Sequence, residues 1–140
     1  MLDKNKKVLG VEGTWSPDDG ESKVTIHRDP STGNLVGRIS WLKDETVHDQ
    51  LDFRNPRREL RGRKLLGLPI LTNFKEAEEE AHSCRTFHKG QIYDPHRGWN
   101  IQGNLRLNES GDKLRVKGWV GLGPLKVSRS YTWTKIQAAP

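Results

Sequence analysis

Hydrophobic and polar residues alternate with a period of two along most of this chain. Leu9, Val11, Gly13 and Trp15 share one parity. Val24 and Ile26 share one, with Lys23, Thr25 and His27 beside them. Leu35, Gly37, Ile39 and Trp41 share another. A two-residue period over such short runs predicts half-buried strands. Between the runs lie Ser16-Pro17-Asp18-Asp19-Gly20 and Asp29-Pro30-Ser31-Thr32-Gly33-Asn34. Pro fixes φ and Gly accepts positive φ, so the chain can reverse at both places. The first 42 residues therefore predict a three-stranded meander.

The second half repeats this grammar. Ile92 and Tyr93 end a strand, and Asp94-Pro95-His96-Arg97-Gly98 turns the chain. Trp99, Ile101, Gly103, Leu105 and Leu107 alternate with polar residues up to a turn at Asn108-Glu109-Ser110-Gly111-Asp112. Leu114, Val116, Gly118, Val120 and Leu122 alternate again, broken by Gly121-Leu122-Gly123-Pro124. In the last strand Val127, Arg129, Tyr131 and Trp133 form one face, opposite Ser128, Ser130, Thr132 and Thr134. Short, evenly spaced strands with turns between them predict an all-β barrel or sandwich.

The middle breaks the pattern. Residues 43 to 64 are polar, and Arg54, Arg57, Arg58, Arg61, Arg63 and Lys64 crowd their second half. This predicts a long excursion, and long loops in compact domains are usually functional or mobile. Leu65 to Leu71 is the most apolar stretch. Pro69 confines any strand there to an edge or a bulge. Lys75 to Ala81 has helical composition over about two turns and reads as a solvated helical turn or acidic loop.

Composition narrows this picture. With 140 residues the chain is one domain, and 32% hydrophobic residues give it a thin core. Five Trp and 14 Gly argue against disorder and for a small barrel. No apolar run approaches the roughly 18 residues of a membrane helix. The lone cysteine, Cys84, excludes an internal disulfide and a four-cysteine zinc site. Much of the net charge of +6 is gathered between residues 54 and 64, where six cations meet one acid, Glu59.

Several motifs then stand in order. They are Gly13-Thr14-Trp15, Gly37-Arg38-Ile39-Ser40-Trp41-Leu42, Asn55-Pro56, Leu60-Arg61-Gly62-Arg63, and Leu66-Gly67-Leu68-Pro69-Ile70-Leu71. Gly90-Gln91-Ile92-Tyr93-Asp94-Pro95, Leu114 to Gly121 and Arg129-Ser130-Tyr131-Thr132-Trp133-Thr134 complete the set. In this order they resemble a bacterial domain-of-unknown-function family, family 2147, of small, usually exported, lipocalin-like proteins. The resemblance spans about residues 10 to 136. It implies a single antiparallel up-and-down β-barrel of about eight strands, of the calycin type, over residues 9–136. Residues 1–8 and 137–140 would be tails. It also implies that Trp15 packs near a basic residue of the last strand, with Arg129 as the candidate, and that Trp133 helps close the barrel bottom. Export to the periplasm follows from the same resemblance. The lysine-rich start after Met1 carries no export signal, so a native Met1 start implies a cytoplasmic protein instead.

The candidate chemistry is that of binding. An eight-stranded barrel is filled by side chains or holds one small ligand. Gly13, Gly37, Gly103 and Gly118 stand at apolar parities, where they either open a cavity or let strands bend. A cavity would be lined by residues including Trp41, Ile101, Val116 and Tyr131. The polar end of a ligand would meet Arg61, Arg63, Tyr93 or Asp94 near the mouth, since Arg forks match carboxylate or phosphate. Asp94 before Pro95 is equally a turn initiator, and Arg61 and Arg63 could instead tie the excursion to the barrel. The acidic run Glu76 to Glu80 could answer the basic cluster within the fold. The partner expected is a small hydrophobic or amphipathic ligand, neutral or anionic, with no cofactor and a monomeric or weakly dimeric state.

Other chemistries fit less well. Nucleic acid is disfavoured because Phe53 is the only aromatic near the basic cluster. His82, Cys84 and His88 share a parity, but on a straight strand Cys84 and His88 would be roughly 13 Å apart, too far for one metal without a bend. No G-x-S-x-G, H-E-x-x-H or P-loop motif supports catalysis. The alternative to a carrier is a non-catalytic interaction protein with a filled barrel, whose basic loop docks an acidic partner or envelope surface.

Overall fold

The computed structural model describes residues 10–17, 20–43, 50–77, 85–121 and 123–136. Its strands are β1 (Gly13–Ser16), β2 (Ser22–Arg28), β3 (Leu35–Leu42), β4 (Pro69–Glu76), β5 (Arg85–Asp94), β6 (Trp99–Leu107), β7 (Lys113–Val120) and β8 (Val127–Lys135). Each pairs antiparallel with the next, and β8 returns to β1, closing an eight-stranded barrel in simple sequential order. The predicted meander and the alternating second half are both present. Among the described residues no helix is long and apolar enough to cross a membrane.

Closure is narrow. β1 has four residues and meets β8 through only Trp15↔Lys135 and Ser16↔Thr134. At this end the core is dense: Trp15, Ile26, Leu35, Phe74, Phe87 and Leu114 are buried in one cluster. The Trp15 indole N–H donates to the Val11 carbonyl at 2.8 Å. The Lys135 ammonium stands 5.2 Å from the Trp15 ring centroid and donates to the Gly10 and Glu12 carbonyls. An ammonium over an indole face is attracted by the ring quadrupole. The cation that serves Trp15 is thus Lys135. Arg129 lies six residues back along β8, in register with Gly118, and takes no part in this end of the barrel.

Three local expectations change. Lys75 and Glu76 are strand, in register with His88 and Phe87. Their helical composition yields to cross-strand partners, because tertiary context overrides a weak local propensity. The Glu76 carboxylate receives Arg28 at 2.9 Å and Arg85 at 2.6 Å, so it answers β2 and β5 and not the basic excursion; residues 78–80 lie outside the described residues. Trp41 faces outward. Lys23 pairs with Trp41 and Val24 with Ile39, so Ser40 is an extra residue that inverts the parity beyond it. Leu42 is thereby buried, while Trp41 is 38% exposed under the Lys23 ammonium. Pro69, expected at an edge or a bulge, is the first residue of β4 and pairs with Arg38 beside a register shift in β3.

The inward glycines make room that neighbouring side chains take up. A Cβ at Gly90 would overlap the Phe74 ring, and one at Gly103 would overlap the end of Ile92. A Cβ at Gly118 would stand 2.7 Å from the Ile101 methyl, and one at Gly37 3.0 Å from Leu71. These glycines therefore let a thin wall carry large side chains across the barrel.

Candidate functional site

At the opposite end the excursion and the β5–β6 and β7–β8 connections surround the mouth. Residues 51–68 form a folded cover. Leu51 bridges to Lys64, a single 3₁₀ turn spans Arg58–Leu60, and Leu65 and Leu68 pack with Ile39, Leu42 and Tyr93.

The hub of this cover is Asp52, only 1% exposed. Its Oδ1 accepts the Tyr93 hydroxyl at 2.5 Å. Its Oδ2 accepts Asn55 Nδ2 at 2.9 Å and Arg63 Nε at 3.0 Å. The Arg63 guanidinium also stands 5.5 Å from the Tyr93 ring centroid. A buried carboxylate is tolerated only when paired and hydrogen-bonded, and here both oxygens are engaged. Burial, with the Asp52 carboxylate adding to it, pushes the Tyr93 hydroxyl up to about 12. Arg61 Nε donates to the Asn55 carbonyl at 2.7 Å. Arg54 donates to the His96 carbonyl at 2.9 Å, fixing the cover to the β5–β6 turn. Gly98 makes that contact possible: its φ is +70°, and any Cβ would overlap the Arg54 carbonyl.

Beside the cover, a cavity of about 430 Å³ enters the barrel between β5, β6, β7 and β8. Trp133 and Val116 join its wall to the core, and Ile92, Ile101 and Tyr131 line its sides. Trp99, Val120 and Val127 stand at its rim, and the lining is mostly apolar. Two guanidinium groups reach it. Arg97 is committed: it pairs with Asp94 at 2.9 Å and lies 5.5 Å from the Trp99 ring centroid. Among the described residues, Arg129 has no hydrogen-bond, ion-pair or ring partner. A second hollow, of about 470 Å³ and more polar, lies across the mouth between Ser22, Ile39, Leu42, Phe53 and His96.

The structure thus gathers Ile101, Val116, Tyr131, Asp94, Arg129 and Trp133 around one cavity. Asp94 also performs the turn role: its carboxylate accepts the His96 N–H at 2.9 Å as well as Arg97. Tyr93 borders the cavity, but its hydroxyl is spent on Asp52. Arg61, Arg63 and Trp41 are not brought to it. The two arginines tie the cover together, and Trp41 lies on the outer face. Asp52 as the hub of the cover and Lys135 as the cation beside Trp15 were not legible in the sequence. His82 and Cys84 lie outside the described residues; His88 is on β5, and no metal-holding group forms among the described residues.

Comparison with known proteins agrees with this architecture. No curated protein matches the chain. Among solved structures, one similar to it is HP1028 of Helicobacter pylori, which is described as belonging to the lipocalin family. The TM-score is 0.77 at 16% identity, covering 93% of this chain and 85% of that one. At that identity the likeness speaks for the fold alone. The family model for an uncharacterized protein conserved in bacteria matches residues 13–135, from the first residue of β1 to the last of β8, and the chain belongs to that family, DUF2147.

Proposed function

We propose that the barrel binds one small amphipathic anion, with its apolar part in the β5–β8 cavity and its charged head on Arg129. The observation that carries this reading is a guanidinium, without a partner among the described residues, on the wall of a mostly apolar, 430 Å³ cavity. Apolar burial supplies the affinity, at about 25 cal/mol per Å² before ordering costs. The guanidinium supplies direction, because its planar fork matches a carboxylate. The volume lies in the range of small-molecule sites, about 300–1,000 Å³. Docking of an acidic partner on the basic excursion gains no such support, since Arg54, Arg57, Arg61 and Arg63 are already engaged within this chain.

The test compares decanoate with decanol by titration calorimetry. Both should bind, and Ile101→Trp, which fills the cavity, should abolish both. Arg129→Gln should weaken decanoate about ten-fold, as loss of one charge-assisted contact of roughly 1.4 kcal/mol requires, and leave decanol unchanged. Equal losses for acid and alcohol would remove Arg129 from the site. No binding of either to the wild type would remove the cavity reading itself.

A further inference from the structure

Among the described residues eight large hydrophobic side chains are exposed, and five of them, Trp99, Val120, Leu125, Val127 and Tyr131, crowd the β8 side of the mouth. Leu125, at the tip of the β7–β8 connection, is 80% exposed, and Val127 is 56% exposed. Isolated exposed apolar residues are ordinary, but a contiguous patch marks an interaction surface. The patch is flanked by cations. Lys126 lies 4.6 Å from the Trp119 ring centroid, Arg129 has no partner among the described residues, and Arg97 covers Trp99. The carboxylate at this rim, Asp94, is neutralised by Arg97.

We infer that this rim docks peripherally on an anionic lipid bilayer, with Leu125 and Val127 entering the interface and Lys126 meeting the headgroups. Aromatic side chains favour the membrane–water boundary, where one end is apolar and the other wet. Apolar insertion and attraction to anionic lipid act together in interfacial binding. A second copy of the chain fits the patch less well. A two-fold pairing through this patch would set its cations against the same cations of the partner. The cavity opens within the patch, so a docked barrel would present its mouth to the lipid. This inference does not depend on the identity of the cavity ligand.

Cosedimentation of the full chain with phosphatidylcholine vesicles, with and without phosphatidylglycerol, tests it. The wild type should bind the mixed vesicles and release at high salt, because surface charges are then screened. Leu125→Ser with Val127→Ser changes no charge and, at such exposed positions, leaves the barrel folded. It should weaken vesicle binding about ten-fold or more, as expected where insertion of apolar side chains contributes. Arg57→Ala with Arg58→Ala, on the cover, should change it less than about two-fold. Absence of binding to anionic vesicles overturns the inference. So does binding that ignores Leu125 and Val127 but falls with Arg57 and Arg58, which would be general cationic adsorption. Concentration-dependent dimerisation abolished by the serine pair, without vesicle binding, would assign the patch to a second copy.

Discussion

Tyr93→Phe removes one oxygen atom and isolates what the buried carboxylate needs. Asp52 is almost wholly enclosed, and Oδ1 receives its hydrogen bond from Tyr93. A hydrogen bond to a charged group contributes about 1.5–3 kcal/mol. Arg63 and Asn55 continue to hold Oδ2, so the expected loss at pH 8 is about 2 kcal/mol. At roughly 2–4 °C per kcal/mol for a chain near this size, melting should fall by about 4–8 °C. The pH dependence sharpens the test. The Tyr93 hydroxyl is raised from 10.0 to about 12 in the folded protein, so the folded state keeps a proton that the unfolded chain gives up. The stability this represents is complete below pH 10 and is lost as pH rises towards 12. The rise corresponds to roughly 3 kcal/mol at most, comparable with the cost of deleting the hydroxyl. Urea unfolding, followed by tryptophan fluorescence from pH 8 to 12, should therefore show the wild-type advantage over Y93F shrinking towards zero. An advantage that stays constant over that range, or one below about 0.5 kcal/mol at pH 8, as is usual for an inconsequential surface change, would refute the reasoning.

Two further outcomes follow from close packing. Gly90→Ala places a methyl group against the buried Phe74 ring and should cost about 1–3 kcal/mol by overpacking, measured as a lower melting temperature; an unchanged melt would mean that Phe74 does not use the space. Gly98→Ala forces a side chain against the Arg54 carbonyl at a positive φ and should loosen the cover from the β5–β6 turn, so trypsin should cut between Arg54 and Lys64 several-fold faster. Equal cleavage rates would show that this junction does not anchor the cover.

The strands β6, β7 and β8 were legible because they are clean alternations bounded by Gly, Asn and Pro. Each face is determined by parity alone, so Ile101, Val116, Tyr131 and Trp133 could be assigned inward. Trp41 could not, since a single extra residue at Ser40 reverses parity, and a bulge is decided by pairing with β2 and not by local composition. The same limit hid Asp52. Its partner Tyr93 lies 41 residues away, and in the sequence Asp52 is one acid in a polar, basic segment. The arginines were visible as a cluster, but a charge does not reveal whether it faces a ligand or a buried carboxylate. Arg129 illustrates the converse. A fold-level expectation assigned it to Trp15, whereas the register of β8 gives that task to Lys135 and places Arg129 on the cavity wall.

The short β1 has one more implication, for capacity. β8 runs from Val127 to Lys135, yet β1 covers only Thr134 and Lys135. Seven residues of β8, Val127 to Trp133, thus have no β1 partner across the seam. Seven of the eight strand junctions join neighbours in sequence; this one joins the two ends of the chain and carries only two residue pairs. Widening the barrel there breaks far less than prying apart β6 and β7, which share six. What holds this seam is therefore the two-pair zipper and its fastener, the Lys135 ammonium on Gly10, Glu12 and Trp15. If a ligand bound as proposed were too long for the resting cavity, the barrel would widen first along this seam, at the expense of a few bonds, while the other junctions kept their shape.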